Sequence, residues 1–318
     1  MQSRLYPFLL ILGFFVLTVT TFAKNQVVKL VTEYHKNPIG IDVENPRFSW
    51  QILSDETNVT QIAYEIRVAD SPKNLSKKNK QLWASGKVES DQSVNVEYAG
   101  TSLNSMQRAY WQVRIWDNIG KVSAWSEPAF WEMGNLDPSL WSASYIAMDD
   151  ITTEKKSHPS QYFRNEFTTQ KPIQSARVYV TSLGLYQLYL NGNKVGDDLF
   201  TPGFTSYNKR LQYQTYDVTE MLQQNNAIGA IIGDGWYRGN IGWKGDYAFY
   251  GKQLAFLVQL QVNYSDGTNE TIVSDTNWKA SYGPILESDM YNGEKYDARL
   301  EINVWNKNGF DDSQWTKV

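Results

Sequence analysis

The sequence predicts an all-β protein, with two consecutive β-sandwich domains following an N-terminal export signal. Three observations carry this reading. Short segments alternating apolar and polar residues recur along the chain, each closed by Gly, Pro, Asn or Asp. Aromatic residues make up 14% of the chain, with 12 Trp and 20 Tyr, which suits pleated, half-buried surfaces. No segment sustains the periodicity of a helical bundle, and no internal repeat is present.

The chain has 318 residues, enough for two to three domains, and its 42% hydrophobic content excludes global disorder. The formal charge is −4 with no basic stripe, which excludes nucleic acid as a partner because phosphate binding starts from clustered Lys and Arg. Cysteine is absent, so disulfides, thiolate metal sites and a cysteine nucleophile are ruled out. Only His35 and His158 occur, far apart in polar surroundings, which argues against a His-based zinc site.

Residues 1–23 read as a signal peptide. "MQSR" gives one positive charge, "YPFLLILGFFVLTVTTF" is apolar, and Ala23 closes a small-residue cleavage site. A retained anchor is the alternative, but the apolar run is short and its downstream flank only weakly basic. The expectation is export to a periplasm or the exterior, with no membrane segment after cleavage.

The first domain is expected over 27–134. "PRFSWQI" (46–52), "QIAYEIRVAD" (61–70), "LWASGKV" (82–88), "VNVEYAG" (94–100), "AYWQVRIWD" (109–117) and "EPAFWEM" (127–133) alternate as strands, with "DNIG" (117–120) a turn and 71–80 a lysine-bearing loop. So many strands in about a hundred residues predict a fibronectin- or immunoglobulin-like sandwich, with Trp50, Trp111 and Trp116 as core or inter-sheet residues rather than ligands. "GNLDPSLW" (134–141) reads as a linker.

The second domain is expected over 141–318 as a jelly-roll sandwich. Residues 149–160 read as a surface loop, and 162–169, 175–196, 211–219 and 226–235 as strands. Residues 254–275 read as a hairpin. Asn191-Gly192 and Asp266-Gly267 are turn pairs that tolerate positive φ. "DVTEMLQQ" (217–224) predicts one short helical turn capped by Asp217 or Thr219.

Along 182–222, "SLGLYQLYLNGNKVGDDLFTPGFTSYNKRLQYQTYDVTEML" resembles the N-terminal β-sandwich region of bacterial α-L-rhamnosidases. "IIGDGWYRGNIGW" (231–243), "YGKQLAFLVQLQVNYSDGT" (250–268), "SDTNWKAS" (274–281), "SDMYNGEKYDARLE" (288–301) and "NGFDDSQWTKV" (308–318) continue the resemblance in order. "NPIGIDVENPRFSWQI", "LWASGKV", "YWQVRIWD" and "SAWSEPAFWEMG" are similar to the fibronectin-like domain that precedes it. The resemblance covers nearly all of 27–318.

The family consists of inverting glycoside hydrolases acting on terminal α-L-rhamnosyl residues. The resemblance places the catalytic acid and base in an (α/α)6 barrel that these residues do not resemble. It therefore implies a non-catalytic front portion that binds or positions rhamnose-containing glycans. Two other readings stand beside it: half of a split enzyme that works with a separate catalytic chain, and a structural spacer.

Inverting hydrolysis needs two carboxylates about 6.5–9.5 Å apart across the glycosidic bond. Asp289, Glu294 and Asp297 are the nearest candidates; the plainer reading makes them turn residues with a salt link to Arg299. No catalytic residue is assigned. Asp197 and Asp198 offer two hard oxygen ligands for Ca²⁺, which the resemblance to calcium-dependent rhamnose-binding relatives encourages; the plainer reading is a solvated turn. No obligatory cofactor is expected.

"GDGWYRGNIGW" (233–243) is the candidate sugar platform. Gly235 and Gly239 allow sharp turns, Trp236, Tyr237 and Trp243 offer flat apolar faces, and Asp234, Arg238 and Asn240 supply hydroxyl partners. The competing reading makes Trp236 a packing residue. No H-E-x-x-H, G-x-S-x-G or phosphate-cradling glycine motif is present, which removes zinc-protease, α/β-hydrolase and P-loop chemistry.

Overall fold

The computed structural model describes residues 25–152 and 154–318; the expected signal segment, 1–23, lies outside the described residues. Among the described residues, no helix is long and apolar enough to cross a membrane. The chain divides into two compact units, each built from antiparallel β-sheets, as the alternating pattern predicts.

The first unit holds the described residues up to Asn37 together with Asn45–Ser102 and Ala109–Phe130. Its strands are β1 (Gln26–Thr32), β2 (Arg47–Leu53), β3 (Gln61–Ala69), β4 (Gln81–Ala84), β5 (Val96–Glu97), β6 (Arg108–Asp117) and β7, which begins at Ala129 and ends at Glu132. They form a three-stranded sheet, β1-β2-β5, and a four-stranded sheet, β4-β3-β6-β7. Alternation along β6 sends Trp111, Val113 and Ile115 into the core, where Trp111 stacks on Phe48 with centroids 4.3 Å apart. Trp50 is buried too, and its indole N–H donates to Gln61 Oε1 at 2.9 Å.

Trp116 departs from expectation. It follows Ile115 and so points to the opposite face, where it is half-buried and takes Lys87 and Arg114 against its ring at 5.0 and 5.1 Å. Arg114 also lies over Trp125, as does Arg67 at 4.0 Å. This outer face is a run of alternating cations and indoles.

The second unit takes up Pro38–Glu44, Leu103–Arg108 and Trp131–Val318. The expected linker run is packed rather than free: the Asn135 backbone N–H donates to the Tyr213 hydroxyl at 2.9 Å, and Asp137 accepts from Ser139 N at 2.8 Å at the start of a 3-10 turn. The unit's strands are β8 (Gln161–Thr168), β9 (Ile173–Leu183), β10 (Leu185–Leu190), β11 (Asn193–Lys194), β12 (Gln214–Asp217), β13 (Asn225–Gly233), β14 (Ala255–Tyr264), β15 (Asn269–Val273), β16 (Lys279–Tyr282), β17 (Ile285–Asp289), β18 (Gly293–Tyr296) and β19 (Thr316–Lys317). A six-stranded sheet, β11-β10-β13-β8-β16-β19, and a four-stranded sheet, β12-β9-β14-β15, share one core. Phe163, Val178, Leu188, Ile228 and Phe256, from strands of both sheets, lie in it together with Trp278, which just precedes β16.

The chain changes sheets at Gly184, between β9 and β10. Its φ is +133°, and a Cβ there would sit 2.6 Å from the Gly233 carbonyl oxygen, so only glycine fits. Asn191 and Gly192 both have positive φ, as a two-residue hairpin turn requires. At Asp266-Gly267 only the glycine is left-handed. Asp266 instead accepts from Thr268 N and Oγ1 at 2.9 and 2.6 Å, which closes a longer turn. The short helical turn expected after Asp217 is a 3-10 turn, Thr219–Met221, and Asp217 accepts the Thr219 N–H at 3.1 Å.

Candidate functional site

The opening of the Gly-rich run forms a single helical turn, α1 (Gly235–Arg238), directly after β13. Its two charged side chains face inward, contrary to the expectation that they offer hydrogen bonds to a sugar. Asp234 and Arg238 are each 1% exposed, and Arg238 Nε meets Asp234 Oδ1 at 2.5 Å. Asp234 Oδ2 accepts from Ser157 Oγ at 2.9 Å and from His158 N at 3.0 Å. Arg238 Nη1 reaches Asp150 Oδ2 at 3.2 Å. A charge this deep is tolerable only when paired, and the 149–160 segment supplies the partners. That segment, expected as a surface loop, therefore folds over α1. Burial pushes the Asp150 carboxyl up. The Arg238 charge and hydrogen bonds from Arg238, Gln161 and Tyr282 outweigh this and hold it below the usual carboxylate range.

The remaining members of the run separate. Trp236 is half-buried within an aromatic group, with ring centroids 6.0 Å from Phe200 and 5.5 Å from Phe204. Tyr237 is half-buried against Tyr207 at 5.5 Å. Trp243 is fully exposed. Asn240 is fixed through its backbone, whose N–H donates to Asp289 Oδ2 at 2.8 Å. Of the six predicted residues, only Trp236 and Tyr237 are brought together in one aromatic group.

Asp289 is also structural. Its Oδ1 accepts the Tyr291 and Asn292 N–H groups at 2.9 Å each, which shapes the turn between β17 and β18. Asp297 pairs with Arg299 at 2.8 Å, the salt link that the plainer sequence reading expected. Asp197 and Asp198 are both exposed, and Asp198 lies against the Tyr216 hydroxyl. Among the described residues, no three His, Cys, Asp or Glu side chains gather so as to hold a metal ion. Two adjacent carboxylates supply only part of the six to eight oxygens that Ca²⁺ takes.

A cleft of about 460 Å³ lies on the outer face of the six-stranded sheet. Its floor is set by register: Leu185 opposite Gly233, and Gln187 opposite Ile231. One wall is the β17–β18 hairpin, with Ser288, Asp289 and Glu294; the other is the 198–200 segment, with Asp198, Leu199 and Phe200. The hairpin wall is tied to α1 twice. Ser157 Oγ accepts the Ser288 N–H at 3.0 Å while donating to Asp234, and Asp289 accepts from Asn240. Phe200 is 56% exposed and has φ +57°, a left-handed conformation that costs a bulky side chain energy. Sequence reasoning missed Phe200, Ser288, Asp150 and Ser157. The "LFTPGF" stretch held a signal for the first, since Gly203 N donates to Phe200 O at 2.8 Å in a tight turn that throws the aromatic outward.

Residues 171–318 match the family model of the α-L-rhamnosidase N-terminal domain, and residues 27–137 match that of the Rha78A-like, N-terminal immunoglobulin domain. An α-L-rhamnosidase of Formosa agariphila is 38% identical over 312 residues, covering 90% of this chain and 33% of its own length. One from Alteromonas sp. is 38% identical over 299 residues, covering 91% of this chain and 32% of its own. Among solved structures, Streptomyces avermitilis α-L-rhamnosidase complexed with L-rhamnose superposes with a TM-score of 0.85 at 29% identity, over 92% of this chain and 44% of that one. The enzyme from Aspergillus terreus gives 0.83 at 38% identity, over 92% and 34%. The chain thus spans about a third of the length of the curated relatives it matches. With both domain models matched in chain order, residues 27–137 are an immunoglobulin domain of the Rha78A-like N-terminal type and residues 171–318 an α-L-rhamnosidase N-terminal domain.

Proposed function

We propose that the second unit holds rhamnose-containing glycans in the cleft between Phe200 and the β17–β18 hairpin, and that it holds them without cleaving them. The observation that carries this reading is Phe200 itself: an aromatic ring more than half exposed, in a strained backbone conformation, at the lip of a cleft with polar walls. Strain of this kind concentrates where a fold positions a ligand contact. A flat apolar face beside a few oriented oxygen groups is what a deoxysugar ring requires. Trp236 takes part as the ring's backing rather than as a direct contact, and Tyr237 packs behind it against Tyr207. Holding rather than cleaving is supported by Asp289, whose two oxygens are engaged by three backbone N–H groups and which is therefore poorly placed to move a proton. The work of the relatives, named as α-L-rhamnosidases, gives the sugar class; one of them is described with L-rhamnose bound.

The test is calorimetric titration of the chain with L-rhamnose and with a short neutral rhamnoside, alongside an assay for released rhamnose. Saturable heat without sugar release is expected. No heat with either ligand leaves the unit a spacer, and release by the chain alone makes it an enzyme.

A further inference from the structure

The cleft carries a charge asymmetry that its shape does not require. Three charged side chains line it, Asp198, Asp289 and Glu294, and all are carboxylates; neither Lys nor Arg is among its lining residues. Asp198 and Glu294 are exposed and stand on opposite walls, the first on the 198–200 segment and the second on β18. The cations of the neighbourhood are engaged elsewhere. Arg238 is buried with Asp234 and Asp150, and Lys295 reaches Glu287 at 3.6 Å. Between the walls lie the apolar side chains of Leu185, Ile231 and Ile285, and Phe200 adds an apolar ring beside Asp198. A ligand must therefore present an apolar face to the floor and hydroxyl donors to both walls.

We propose that the cleft is a charge filter that admits neutral rhamnosides and rejects those bearing sulfate or uronate groups, with Asp198 and Glu294 as the specificity-determining residues. The inference rests on the glycan-holding reading above and adds the substrate class to it. A hydroxyl donates to a carboxylate, and the charge makes that hydrogen bond stronger than a neutral one. A sulfate or carboxylate has no proton to donate and meets like charge from both sides, in a concave site where screening is weaker than on an open surface. Rejecting the wrong ligand by repulsion is the usual way a shallow site gains selectivity.

The experiment compares one neutral rhamnose disaccharide with its monosulfated form, titrated into the wild-type chain and into the Asp198→Asn/Glu294→Gln double variant at low and high salt. Both substitutions keep size, retain one acceptor oxygen while replacing the other by an amide donor, and sit on exposed positions. The wild type should bind the neutral sugar at least about tenfold more tightly, the order expected when charges a few ångströms apart repel in a partly water-filled cleft. In the double variant, and at high salt, the gap should close to about threefold or less. Equal affinities in the wild type, or a gap that the double variant leaves unchanged, overturn the filter while leaving glycan holding intact. Failure of the neutral disaccharide to bind the wild type overturns both.

Discussion

Asp234 and Arg238 stand one helical turn apart and close an ion pair that is almost completely hidden from solvent. Through Ser157, the same aspartate is joined to the backbone of Ser288 on the cleft's hairpin wall. Residues whose composition suggests ligand binding thus serve the site from behind, by fixing where its wall stands.

Replacing Asp234 by Ala should destabilise the chain by about 3–5 kcal/mol, because it leaves the buried guanidinium with the longer Asp150 contact as its one remaining carboxylate. The Asp234→Ala/Arg238→Met double variant should recover part of that loss, since the fully buried charges are both gone and the one carboxylate left behind, Asp150, is partly exposed. A denaturant-unfolding cycle over the four proteins measures the coupling. Strict additivity of the two single effects would show that the pair does not act as one unit.

Gly235 begins the turn with φ +52°, and a Cβ there would sit 2.4 Å from Leu185 Cγ. Gly235→Ala should therefore lower stability by about 1–3 kcal/mol through overpacking and an unfavourable backbone conformation. Adding Leu185→Ala removes the steric part and leaves the backbone part, so the double variant should unfold at higher denaturant than expected from the sum.

Acid sensitivity should trace partly to Asp150, whose carboxyl sits below its ordinary range in the fold. A lowered folded value means that the unfolded chain binds this proton more readily. The stabilisation is then fully present above the unfolded value of roughly 3.9 and is lost as pH falls through the folded one. Unfolding curves for wild type and Asp150→Asn between about pH 3 and 6 should show a shallower decline for the variant at the acid end. Parallel curves would remove Asp150 from the account.

Strands with one buried face were readable because alternation is imposed by burial: β6 repeats buried and half-buried positions along its whole length. The β17–β18 hairpin was not, although Asn292-Gly293 is the same turn pair that marks the β10–β11 hairpin. Every residue of β18 is exposed, so no alternation betrays it. Asp234 and Arg238 were misplaced for another reason. Their partners Asp150 and Ser157 lie more than seventy positions away, and local sequence says nothing about such long-range pairing. Trp116 shows the converse, since strand parity in "AYWQVRIWD" already puts it on the face opposite Trp111.

The role assigned to Phe200 has a clean test, because one substitution separates its two properties. Glycine occupies left-handed backbone readily, so Phe200→Gly removes the ring while relieving the conformational cost at φ +57°. Thermal stability should stay level or rise, which few aromatic deletions allow. Affinity for a neutral rhamnoside should nevertheless fall by about tenfold or more, the loss expected when a stacking ring worth about 1.4 kcal/mol is deleted. Trp236→Ala serves as the contrast: its ring is half-buried between Phe200 and Phe204, so stability and affinity should fall together. If Phe200→Gly binds as well as the wild type, the strained ring has no part in holding the sugar. The cleft would then have to work through its floor and hairpin wall alone.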